Sequence, residues 1–234
     1  MQLKREGAFR VVCNIRTPLI DSENAEKVGT GIFISKDLRA ILVTAAHIAN
    51  ETNDRTYIVF CDSENNSSKK ELKSLNESVV WHYHPTADIC YMELDVSKNM
   101  DLLSNRCLPF ENIDLSGKLP SRDTELTCVG FPKGLGANGA KYSPFTFRSF
   151  VSSGLVSLIR EDTKTESEFF CLENPSVGGY SGGPVFDMGY QSIGTLIANH
   201  GDTKLYGIMH GTISDVTGGK IAAVTPIYFL KDIL

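Results

Sequence analysis

Short runs of β-branched and aromatic residues recur along nearly the whole chain, at 9–15, 31–35, 40–44, 57–61, 89–94, 125–131, 154–159, 169–172, 194–198, 204–210 and 221–225. Turn residues separate them at the spacing of an all-β sandwich or barrel. The chain has 234 residues, 41% of them hydrophobic, enough to build a core without metals or disulfides. Pro109, Gly117, Pro120 and several charges interrupt the apolar rhythm between residues 107 and 123. That break predicts two β units, residues 1–112 and 113–234. Residues 62–78 are polar and lysine-rich and residues 132–143 glycine-rich, so both read as loops. At the end, Thr225 can cap a short helix, Pro226 suits its first position, and Ile227, Leu230 and Leu234 share one face.

Composition narrows the function classes. The formal net charge is −5 and the basic residues form no stripe, which argues against nucleic acid or an anionic membrane as partner. No apolar run reaches signal-peptide or membrane-span length, so a cytoplasmic chain is expected. In that setting Cys13, Cys61, Cys90, Cys107, Cys128 and Cys171, which form no C-x-x-C pair, read as small buried hydrophobes. The sequons at Asn50, Asn65, Asn66 and Asn76 then carry no glycosylation meaning.

The strongest chemical signal is Gly178-Gly179-Tyr180-Ser181-Gly182-Gly183-Pro184, a serine inside a glycine run that leads into apolar Val185-Phe186. Backbone N–H groups beside a nucleophile converge on a developing oxyanion only if the chain turns tightly, and glycine permits the positive φ this needs. A glycine-rich hairpin with an incidental serine is the plain alternative. A serine hydroxyl also needs a base, and His47 follows the apolar run Ile41-Leu42-Val43-Thr44-Ala45-Ala46, where small residues let an imidazole stand at a cleft edge. The carboxylate that fixes the imidazole tautomer is sought at Asp88, at the mouth of the alternating segment Ile89-Cys90-Tyr91-Met92-Glu93-Leu94. Taken singly, His47 reads first as a structural histidine and Asp88 as a strand-end cap. Together they fall in the order His, Asp, Ser, at intervals of 88 − 47 = 41 and 181 − 88 = 93 residues. The chymotrypsin order shows about 45 and about 93.

At this point the chain resembles the chymotrypsin/trypsin-like serine peptidases, in particular their bacterial, non-secreted members. Gly29-Thr30-Gly31-Ile32-Phe33-Ile34-Ser35 followed by Val43-Thr44-Ala45-Ala46-His47 is similar to the first-barrel motif, and Asp88-Ile89 to the aspartate motif. Val129-Gly130-Phe131-Pro132, Ser152-Ser153-Gly154-Leu155-Val156-Ser157 and Ala222-Ala223-Val224-Thr225-Pro226-Ile227 resemble the opening and the last strand of the second barrel. The likeness covers roughly residues 8–234. It implies two six-stranded antiparallel Greek-key β-barrels and a short C-terminal α-helix, with the triad between the barrels. It further implies a serine endopeptidase that needs no cofactor or metal and acts on protein or peptide substrates through an acyl-enzyme.

By the same resemblance the oxyanion hole would be the backbone N–H groups of Gly179 and Ser181. The specificity pocket would be walled by Pro175, Ser176 and Val177, by a strand near Ala198, Asn199 and His200, and by Gly219. Pro175 stands where trypsin-like pockets hold an aspartate, so selection for Arg or Lys is not expected, and an uncharged or small-apolar preference is the default. His200 or His210 reaching the pocket would instead favour an acidic or amide side chain. Tyr180 replaces the aspartate that pairs with a cleaved N-terminus in digestive relatives, and Ile48 replaces the cysteine that follows the histidine in secreted ones. A companion protein or substrate-induced rearrangement that completes the oxyanion hole is the expected restraint. An inactive binding module and an esterase are the competing readings.

Overall fold

The computed structural model describes residues 2–19, 25–160, 162–193 and 195–234. The first half of the chain forms an eight-stranded sheet: β1 (Val12–Pro18), β2 (Glu26–Lys36), β3 (Arg39–Thr44), β4 (Tyr57–Cys61), β5 (Ser67–Glu71), β6 (Trp81–Tyr83), β7 (Cys90–Leu94) and β8 (Leu108–Pro109). Its order is β5-β4-β1-β2-β3-β7-β6, antiparallel throughout, with β8 added parallel to β2. The second sheet holds β9 (Glu125–Gly130), β10 (Phe145–Phe150), β11 (Val156–Ile159), β12 (Glu166–Leu172), β13 (Pro184–Asp187), β16 (Lys204–Ser214) and β17 (Lys220–Pro226), in the order β10-β9-β13-β16-β17-β12-β11. A separate hairpin joins β14 (Tyr190–Ile193) to β15 (Leu196–Asn199). The all-β pattern of the sequence is thus met with more strands than the repeat of apolar runs indicates.

Near-continuous apolar runs mark the inner strands. In β3 the segment Ala40–Val43 is buried, and in β7 Cys90, Tyr91, Met92 and Leu94 are buried while Glu93 is not, so both strands sit across the core. One apolar cluster runs from Val12, Phe33 and Leu42 to Phe131, Phe186, Ile208 and Leu230, so the two sheets share a core. A smaller cluster around Leu126, Phe170, Tyr180 and Val224 fills the second sheet.

Three segments differ from expectation. Residues 67–71 form an edge strand inside the polar stretch read as a loop. Residues 5–10 form a short helix, α1, ahead of β1. The C-terminal element is a 3₁₀ segment, Ile227–Asp232, rather than an α-helix; Thr225 lies within β17 instead of capping it, and Pro226, the last residue of β17, stands at the N-cap rather than the first helical position. Residues three apart eclipse in a 3₁₀ turn, which brings Ile227 and Leu230 onto the core together.

Candidate active site

His47 lies in the first turn of a five-residue helix, α2 (Ala46–Asn50), directly after β3. Buried Ala45 and Ala46 let this helix start against the core, and Gly29 leaves room for Ile48, because a Cβ there would come within 2.6 Å of the isoleucine. The first N–H groups of a helix lack intrahelical acceptors. Asp88 supplies one, its Oδ1 accepting from the His47 backbone N–H at 3.0 Å. Its Oδ2 accepts from His47 Nδ1 at 2.7 Å, so one carboxylate fixes both the backbone and the ring of His47.

Asp88 is fully buried and has two further partners that the sequence reading did not assign. Arg160 Nη2 lies 3.0 Å from Oδ1, and His210 Nδ1 lies 2.5 Å from Oδ2. Arg160 is itself buried and also grips Asp162, through Nε at 3.0 Å and Nη2 at 2.6 Å. Burial alone would raise the Asp88 pKa, but the hydrogen bonds and charge of His210 and His47 hold it far below the usual carboxylate range. Burial works against a charged His47, yet the hydrogen bond and charge of Asp88 outweigh it and raise the imidazole pKa.

The nucleophile loop is anchored from the first sheet. Thr30 in β2 donates its backbone N–H to Ser181 O at 2.8 Å and its hydroxyl to Gly179 O at 2.7 Å, while Thr44 Oγ1 donates to Thr30 O at 2.7 Å. Two glycines allow this approach. Gly179 has φ +103° and a Cβ there would fall 2.2 Å from Phe131 O; Gly182 has φ +82° and its Cβ would fall 2.1 Å from Thr30 O. Gly178 O accepts from Lys133 N at 2.7 Å. Since N–H and C=O point oppositely across a trans peptide, the Gly179 N–H is aimed away from Lys133. Tyr180 O is likewise taken by Gly183 N at 2.8 Å, which turns the Ser181 N–H the other way. Among the described residues neither N–H has a protein acceptor, so both can receive an oxyanion. Tyr180 is buried against Phe147, with ring centroids 5.0 Å apart, and so anchors the loop in the second core rather than filling the oxyanion position.

The Ser181 hydroxyl donates to His210 O at 2.8 Å and, among the described residues, makes no hydrogen bond to His47. Rotation about χ1 moves such a hydroxyl between staggered positions. Beside it, His47, Ile159, Asp162, His210, Thr212, Ile213 and Ser214 line a cavity of about 310 Å³.

The pocket walls fall differently from expectation. Ser176 is buried, and its carbonyl accepts from Thr212 Oγ1 at 2.6 Å; Val177 is exposed beside it. The facing strand is therefore His210-Gly211-Thr212 of β16, where a Cβ on Gly211 would approach Ser181 Oγ to 3.8 Å. Ala198, Asn199 and His200 lie instead at the β14–β15 hairpin, where Asn199 Oδ1 accepts from Gln2 and His200 Nε2 pairs with Asp187 at 2.9 Å. β13 runs from the nucleophile turn to Asp187, and at about 3.3 Å per residue that carries the hairpin away from Ser181. Gly219 sits in the β16–β17 turn around Asp215, beyond the strand segment that faces Ser176. The sequence spacing placed the wall one strand too early because the hairpin inserts between β13 and β16.

Donor atoms of His47, Asp88 and His210 lie within 4.8 Å of one another, a spacing a metal ion could use. Both imidazole Nδ1 atoms are committed to Asp88 Oδ2, and the Arg160 guanidinium on the same carboxylate works against a second cation. The arrangement can hold an imidazole as a base with its tautomer fixed, beside a serine on a turn with two free N–H groups.

A family model described as a trypsin-like peptidase domain matches residues 29–194. Among solved structures, the chain is similar to the Rv3671c protease from M. tuberculosis in its active form, at TM-score 0.65 and 17% identity over 98% of this chain and 81% of that one. It is similar to the MamO protease domain from Magnetospirillum magneticum, at TM-score 0.63 and 11% identity over 99% of each chain. It is also similar to the HtrA-type protease AlgW with tripeptide, at TM-score 0.60 and 15% identity over 98% of this chain and 62% of that one. No curated protein matches the sequence.

Proposed function

Because the chain belongs to the trypsin-like peptidase domain family, we propose that it is a serine endopeptidase with Ser181 as nucleophile, His47 as general base and Asp88 as the group that orients it. The observation that carries this reading is the paired grip of Asp88 on His47, 3.0 Å to its N–H and 2.7 Å to its Nδ1, across from the Ser181 turn. An ionised carboxylate only accepts hydrogen bonds, so Nδ1 carries the proton and Nε2 is left free to take one from Ser181. Ser181 Oγ then attacks the scissile carbonyl, its proton passes to His47 Nε2, and the N–H groups of Gly179 and Ser181 receive the oxyanion. His47 returns the proton to the leaving amine, and water repeats the sequence to release the acyl group. An extended substrate would lie along His210-Gly211-Thr212, with Ser176 and Val177 at the side-chain pocket.

The Ser181 hydroxyl bound to the His210 carbonyl favours a site that rests unaligned and aligns when substrate occupies the cleft. We place the protein in a reducing compartment, supported by six cysteines that are all free thiols, five of them buried. No helix among the described residues is long and apolar enough to cross a membrane. Fluorophosphonate labelling of the purified chain, followed by intact mass, tests the reading: wild type gains one adduct, and Ser181→Ala and His47→Ala gain none. A folded wild type that stays unlabelled in the presence of unfolded protein substrate overturns it.

A further inference from the structure

His210 touches more of the site than the triad chemistry assigns to it. The β16–β17 register passes from Met209↔Val224 to Gly211↔Ala223, so His210 is the extra residue of a β-bulge. Bulges re-aim side chains beside active sites. This one brings the imidazole to Asp88, with Phe169 packed against its face at 4.7 Å between centroids and the His47 ring edge-on at 5.3 Å. The ionised Asp88 only accepts, so His210 Nδ1 also carries a proton. A carboxylate offers about four acceptor positions. Here they are filled by His47 N–H, His47 Nδ1, Arg160 Nη2 and His210 Nδ1.

We propose that His210 is a positioning residue of this site: it holds Asp88 through the same oxygen as His47 and takes a share of its negative charge, and so lowers the basicity of His47. The proposal rests on the serine-peptidase reading only for its kinetic readout. Asp88 is the acceptor, His47 and Arg160 are its other donors, Asp162 is tied to Arg160 and acts on His47, and Glu51 acts on His47 from the C-cap of α2. Without the His210 N–H, more of the Asp88 charge falls on the His47 imidazolium, which becomes harder to deprotonate. Without the ring, Asp88 also loses the contact that fixes its rotamer. The two imidazole N–H groups share one oxygen of Asp88.

The test compares wild type with His210→Phe, which keeps a ring but no donor, and His210→Asn, whose amide N–H reproduces the Nδ1 donor. Two readouts are followed in the full chain: the pH dependence of fluorophosphonate labelling, and the downfield imidazole N–H proton signals of ¹⁵N-histidine-labelled protein, with thermal melting to confirm folding. The expected result is two downfield signals in wild type, one in His210→Phe, and an acid limb for His210→Phe displaced to higher pH. Labelling at the acid side slows on the order of tenfold because more of His47 is protonated there, and His210→Asn restores the wild-type limb. An unchanged limb and unchanged His47 signal in folded His210→Phe, or an Asn variant that behaves like Phe, overturns the proposal. Should wild type fail to label, the serine-peptidase reading falls, and the His47 N–H titration in wild type against His210→Phe still decides the role of His210.

Discussion

Asp88 is a buried anion whose cost is met by three side chains, and replacing it tests each of them. Asp88→Asn keeps the volume but offers an amide N–H where donors already converge, so His47 loses its fixed tautomer. Turnover is expected to fall by about 10⁴, as in the corresponding triad substitution, read by labelling rate and peptide hydrolysis at neutral pH. The pH profile has a defined sign. His47 must be neutral to accept the Ser181 proton, and its pKa is raised above the ordinary 6.5 because Asp88 outweighs its burial. Activity therefore rises with pH through a midpoint above 6.5, and a midpoint below it would count against an ion pair at this strength. The stability contributed by Asp88 has the same sign, over a lower pH range. Its folded pKa is depressed below 3.8, so its contribution is present above that value and is lost as pH falls beneath it.

At the scale of elements, β2 and the nucleophile turn form one unit through Thr30. Thr30→Val keeps the shape but leaves the Gly179 carbonyl buried without its donor, expected to cost about 1–3 kcal/mol and to slow labelling by loosening the oxyanion turn. A melting temperature and labelling rate equal to wild type would sink this account. The same elements show what was legible in advance. Strands β3, β4 and β7 were readable because each is an apolar run with turn residues at its ends. His47, Asp88 and Ser181 could be picked out because their order and intervals match the template of one fold, whereas the same chemistry occurs in other orders on other folds. Strand β5, Ser67-Ser68-Lys69-Lys70-Glu71, was hidden because an edge strand with no buried face has no alternation to show. Arg160 gave no local signal either, since its burial depends on Asp88 and Asp162 meeting it in space. His210 was visible as a histidine ending a strand run, but only the bulge decides that it faces Asp88 rather than the substrate pocket.

For the whole molecule, the shared apolar cluster predicts how the chain unfolds. Trp81, the single tryptophan, reports on the first sheet, whereas backbone circular dichroism reports on both. Because Phe131, Phe186, Ile208 and Leu230 belong to the same cluster as Phe33 and Leu42, both probes should follow one coincident urea transition. Two separated midpoints would mean that the sheets are independently stable. The bridge through Thr30 also bears on how such a chain is made. During synthesis His47 and Asp88 leave the ribosome well before Ser181, and the turn that shapes the nucleophile is held by hydrogen bonds from Thr30 of the first sheet. A nascent or half-folded chain therefore carries no competent scissors, and neighbouring unfinished copies are spared until the last strands have docked.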